Sequence, residues 1–192
     1  MKSTNILVNE HRVIEQVLNC LERMVERCRT EGRLEDGPAR DAVAFFREFA
    51  ECSHLAKEEA ILFPLVAGTK CPQGCRPAEL MAREKTQGHA HLEALAGAIE
   101  GAAAGDKDAV RRFIEHGEAY IDLLLKYVAN EEDWLFPHAN RLLDDDSKRR
   151  LAKQFQKTEP DKACGPTPEQ YVAFANRLAD RFGVPRAVLL DT

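Results

Sequence analysis

The sequence lacks any apolar run of the roughly 20 residues that cross a bilayer. Its opening residues, MKSTNILVNEHR, lack the apolar block of a signal peptide. The expectation is a cytoplasmic protein with no membrane partner. A positive surplus is missing too. With 27 Lys and Arg against 32 Asp and Glu, the net charge is -5. Without a basic face, nucleic acid is excluded as a partner class. No stretch reads convincingly as a strand. The six cysteines, at 20, 28, 52, 71, 75 and 164, are too scattered for a disulfide framework, so reduced thiols are expected. Cys20, Cys28 and Cys52 fall in helical patterns, where cysteine acts as a small apolar residue. The CPQGC loop at 71–75 has no second pair to complete a zinc site; a labile disulfide there is the alternative reading.

What is present is helix. At 192 residues, with 44% hydrophobic and 31% charged residues, the chain can bury a core without staples. The breakers EGRLEDGP (31–38), GTKCPQGCRP (68–77) and GAAAGDKD (101–108) divide residues 4–144 into four long helical segments. Short connections make neighbours antiparallel, so the fold class is all-α, an up-down four-helix bundle. The bundle is assigned to residues 1–145. Residues 146–192 form a C-terminal helical extension, in which Tyr171, Ala175 and Leu178 give 169–182 an apolar stripe that packs as a cover.

Each segment carries a seam of residues at three-and-four spacing. Those seams are interrupted by His11 in the first helix, His54 and Glu58 in the second, Lys85 and His89 in the third, and Tyr127 and Glu131 in the fourth. Counted from the helix ends at about 1.5 Å per residue, these interruptions fall in one layer about 6 Å thick. Unpaired buried carboxylates cost several kcal/mol, so the group requires partners. Imidazoles, carboxylates and a phenol converging in a bundle core match non-haem metal ligation. A metal-free polar network that satisfies every member is the competing reading. His91 and His116 fall off the seams and are read as solvated. His138 lies too far along its helix from Glu131 to share an ion. Glu15, Glu59 and Glu132 are read as supporting or surface groups.

The second and fourth helices repeat one another. HLAKEEAILFPL (54–65) and YVANEEDWLFPH (127–138) agree at six of twelve positions, with His54 exchanged for Tyr127. Together with EHRVIEQVL in the first helix and MAREKTQGHAHLEAL in the third, these pieces resemble the hemerythrin-like (HHE cation-binding) family. The resemblance covers residues 10 to about 143. It implies a non-haem di-iron centre, possible oxo or hydroxo bridging, and ligands His11, His54, Glu58, His89 and Glu131. Glu58 and Glu131 would be shared between two ions. Lys85 and Tyr127 stand where that family usually has histidines.

A tyrosine phenolate is a hard anionic donor that favours ferric over ferrous iron. Tyr127 as a ligand therefore argues against reversible oxygen carriage. It suits the handling of peroxide, oxygen or nitric oxide, with catalase-like turnover or a non-catalytic sensor both open. Lys85 is read as a counter-charge for Glu58 or Glu131, as a replacement for the second metal, or as a neutral amine ligand or, with Tyr127, a catalytic proton donor. A single ion, or zinc, would also suit the donor set.

Overall fold

The computed structural model describes residues 4–66, 78–157 and 166–191. Helix α1 is Asn5–Glu31 and ends where Gly32 takes a left-handed φ of 69°, returning its N–H to the Cys28 carbonyl. Helix α2 runs without interruption over 36–66, beginning with the α-helical Asp36–Phe45. Helix α3 is Ala78–Ala103. Gly105, at a φ of 81°, turns the chain into α4 over 107–142, where the Asp106 side chain accepts the Ala109 N–H as N-cap. Helix α5 is Asp145–Lys157, and α6 is Pro168–Phe182, opened by a Thr167–Gln170 capping box. Among the described residues there is no strand. Cys71, Cys75 and Cys164 lie outside the described residues.

Antiparallel packing shows in which residues meet. Between α2 and α3, Arg47 pairs with Glu93 and Glu51 with His89. Between α1 and α4, Arg29 pairs with Glu118 and His11 with Glu132. As one residue number rises its partner falls, and the four helices form the expected up-down bundle. Helix α6 adds Tyr171, Ala175, Leu178 and Phe182 to the core beside α1 and α2.

Helices α2 and α4 are not uniformly α-helical. Phe46–His54 and Glu58–Leu62 in α2, and Glu131–Leu135 in α4, are wound as π-helix. In both copies of the repeat the Glu-Glu-x-x-Leu stretch is the π segment. The N–H of Phe63 reaches back to Glu58, and that of Phe136 to Glu131. Pro64 and Pro137 follow at once; each lacks an N–H and crowds the turn before it. π-Helical turns of this kind are frequent at functional sites. Here the metal-ligand candidates stand at their edges: His54 ends one segment, and Glu58 and Glu131 each begin another.

The apolar interior comes in two blocks. One contains Ile14, Leu18, Phe46, Ala50, Leu92, Phe113 and Tyr120. The other contains Leu7, Leu55, Leu62, Tyr127, Leu135, Phe136 and Phe155. Between them, along α1, α2 and α4, lie His11, His54, Glu58 and Glu131, all buried. The expected seams of α1 and α2 hold down to this layer.

The third helix departs from expectation. Its buried stripe runs through Met81, Gly88, Leu92, Leu95 and Ile99 rather than through Lys85 and His89. The reason is Gly88, where a Cβ would stand only 3.3 Å from Leu123 Cδ2. The helix faces its neighbour with the residue that has no side chain, and His89 is rotated outward to 58% side-chain exposure. Cys20 and Cys28 are free and buried, whereas Cys52, expected as a reduced thiol, is half-buried and disulfide-bonded.

Candidate metal centre

His11, His54, Glu58 and Glu131 each present a ligand atom, and the four atoms lie within 4.8 Å of one another. His54 Nε2 is 2.8 Å from Glu58 Oε1. His11 Nε2 is 3.2 Å from Glu131 Oε2 and 3.9 Å from Glu58 Oε1. The two rings stand edge to face with centroids 4.7 Å apart. Phe136 stacks on the His11 ring at 5.3 Å and closes that side with hydrocarbon.

The outer nitrogen of each ring is fixed by a carboxylate. His54 Nδ1 donates to Glu10 Oε2 at 2.8 Å, and Glu10 is itself paired with the buried ammonium of Lys57. His11 Nδ1 donates to Glu132 Oε1 at 3.0 Å, and Arg12 holds the other oxygen of Glu132 at 2.8 Å. These bonds set the tautomer, so each Nε2 turns toward the centre with its lone pair free for a cation. Glu132 is thus a supporting group, one of the two roles its sequence position suggests. Glu10 and Lys57 were not anticipated. The EH dipeptide carries its glutamate to a different neighbour than its histidine, which no spacing rule signals.

His11 Nε2, Glu58 Oε1 and both carboxylate oxygens of Glu131 have no hydrogen-bond partner although they are buried. Two carboxylates facing two imidazole nitrogens in a dry layer require something positive between them, a proton or a metal ion. The pKa shifts describe the proton's version. Burial opposes charge on His54, yet Glu58 and Glu10 outweigh it and hold its pKa up to about 9. Burial likewise opposes charge on His11, but Glu131, Glu132 and Glu58 lift it well above the ordinary histidine value. Burial and the neighbouring Glu58 charge push Glu131 up to about 8. Glu58 goes the other way. Burial would raise it, but His54 and His11 hold it far below the usual carboxylate range. Two nitrogens and two carboxylates therefore fit a cation, which would take the place of protons.

Tyr127 donates its hydroxyl to Glu58 Oε2 at 3.3 Å. Burial and the charges of Glu58 and Glu131 raise its pKa, keeping the phenol protonated while no cation is present. Lys85 was expected to face Glu58 or Glu131. It pairs instead with Glu59, one residue along, and is 37% exposed because α3 turns it toward the surface. His89 donates Nδ1–H to Glu51 Oε2 at 3.0 Å and is not among the four. Both line a cavity of about 30 Å³ whose other walls include His54, Tyr120 and Tyr127. That is room enough for a small molecule such as water.

Compared with known protein families, residues 2–139 match the hemerythrin HHE cation binding domain. The chain belongs to the hemerythrin HHE family. No curated protein and no solved structure matches it. In this hemerythrin-family chain the buried His/Glu group is one that could hold a metal ion. No helix among the described residues is long and apolar enough to cross a membrane.

Proposed function

We propose that the chain binds non-haem iron at His11, His54, Glu58 and Glu131 and handles small oxidants: peroxide, oxygen or nitric oxide. One observation carries this reading. Ligand atoms of His11, His54, Glu58 and Glu131 converge, those of His11, Glu58 and Glu131 without a hydrogen-bond partner, and His54 also lines a small cavity beside Tyr127. Iron, when bound, supplies Lewis acidity and one-electron redox chemistry.

The chain's own residues do the rest. Glu58 and Glu131, whose second oxygens are not used by the histidines, are the groups able to bridge two ions. Tyr127 adds a phenol beside Glu58, and as a ligand it would favour the ferric state over reversible oxygen carriage. Glu10 and Glu132 orient the two imidazoles, while Phe136 and the adjoining apolar blocks exclude water. At the cavity mouth, Lys85 and His89 present groups able to donate a proton to an entering oxidant.

Elemental analysis of protein purified without added metal tests the reading, combined with peroxide consumption by that protein. Iron near one or two equivalents with oxygen evolution supports an iron enzyme. Iron without turnover supports a sensor or binding module. Zinc, which the same N2O2 donor set suits, or no metal at all, would overturn the iron assignment.

A further inference from the structure

His91 and His116, expected to be solvated separately, face one another across α3 and α4 with their Nδ1 atoms 3.1 Å apart. The ring centroids are 5.3 Å apart and the planes inclined at 46°. Both side chains are half-buried. Glycine brings the helices this close. A Cβ on Gly117, next to His116, would come within 3.3 Å of Leu95 Cδ1 on α3, and one on Gly101 within 2.6 Å of Ala109 Cβ.

We propose that His91 and His116 form a second metal site, an inter-helical chelate for a late first-row divalent cation such as Cu²⁺, Ni²⁺ or Zn²⁺. With the nitrogens 3.1 Å and the ring centroids 5.3 Å apart, the two Nδ1 atoms point nearly head to head, so each ring must tilt on its side-chain torsions to aim both lone pairs at one ion. An ion about 2.05 Å from both nitrogens would subtend an angle of about 100° between them, which lies between cis-octahedral and tetrahedral. Imidazole nitrogen is the donor these ions prefer. His91 also starts in the ligating state. Burial and the neighbouring His116 keep the His91 pKa below its ordinary value, so the ring is neutral near pH 7. Glu115, whose charge acts on His91 in the opposite sense, places a carboxylate in the vicinity, and water completes the coordination.

The site is separate from the buried centre. His116 precedes Glu131 by 15 residues on one helix, about 22 Å of rise. Without a cation, the 3.1 Å contact is a hydrogen bond in which one ring donates Nδ1–H to the other. Binding moves that proton to Nε2 and frees both Nδ1 lone pairs.

The test is a Cu²⁺ titration of the full chain, carrying whatever metal it holds on purification, followed by electron paramagnetic resonance. The wild type is expected to bind one further Cu²⁺ with hyperfine coupling to two nitrogens. His91→Gln and His116→Gln, with unchanged circular dichroism, are each expected to weaken that ion at least tenfold and to lose one nitrogen coupling. Ni²⁺ should raise the melting temperature of the wild type, because it ties α3 to α4, and leave His116→Gln unmoved. Equal Cu²⁺ affinity and an unchanged spectrum in both variants would show that the two rings form only a hydrogen-bonded pair.

Discussion

Glu10 Oε2 lies 2.8 Å from Nδ1 of His54, on the helix opposite its own. The adjacent residue, His11, turns to Glu132 on α4 instead. Two consecutive residues of α1 thus serve two different helices. His54 owes its orientation to a carboxylate that is not itself one of the four.

Replacing that carboxylate should cost twice. Glu10→Gln keeps a hydrogen-bonding oxygen for His54 but removes the charge that pairs with Lys57, leaving a buried ammonium alone. Breaking a buried pair on one side typically costs about 3–5 kcal/mol. Loss of a carboxylate behind a ligating histidine typically lowers metal affinity about 10- to 100-fold. Urea denaturation and competition with a coloured chelator measure the two effects. Glu10→Gln combined with Lys57→Met should recover stability and leave affinity low.

Stability should depend on pH with opposite slopes in the metal-free and metal-loaded protein. Metal-free, His54 titrates at about 9 and Glu131 at about 8, both above their ordinary values, and His11 is raised as well. A group whose pKa is raised by folding holds its proton more tightly in the native state. Its contribution is complete below the unfolded value and drains away as pH climbs through the folded one. The metal-free protein is therefore expected to lose stability steadily from about pH 5 to pH 9. With a cation bound, rising pH clears protons from the ligands and binding tightens. Denaturation midpoints in chelator and in excess metal would reveal the crossing; a flat metal-free profile contradicts it.

Tyr127→Phe removes only the hydroxyl that meets Glu58 at 3.3 Å. The metal-free variant should change in stability by no more than about 1 kcal/mol, the net worth of an ordinary hydrogen bond. Iron-loaded, it should retain its metal and lose a visible phenolate-to-iron band present in the wild type. A spectrum identical to that of the wild type would show that the phenol does not bind the metal.

Gly117 should tolerate no side chain. A Cβ there would stand 2.7 Å from Val25 Cγ2, inside the contact between α1 and α4. Gly117→Ala is expected to lower stability by about 1–3 kcal/mol, as overpacking does. Gly97→Ala, where nothing lies within 4 Å, should raise it slightly because alanine favours helix. Thermal denaturation of the two variants compares them directly.

The helix ends were legible because Gly32, Gly105 and Asp106 punctuate the chain by their own chemistry. The polar layer was legible because His11, His54, Glu58 and Glu131 interrupt apolar seams. The face of α3 was not, since periodicity counts side chains and Gly88 contributes none. The partners of Glu10, His91 and His116 were hidden for a related reason. They depend on which helix lies opposite and on how near the glycines let it come. The π segments carried a signal that went unread: the Glu-Glu-x-x-Leu-Phe-Pro repeat is the same local winding written twice.

Hydrocarbon bounds the His/Glu layer on both sides along the bundle axis, and Phe136 covers one ring. An ion seated there could leave only when packed side chains step aside. The rate of metal exchange would then be paced by the breathing of the helices rather than by the strength of any single coordinate bond.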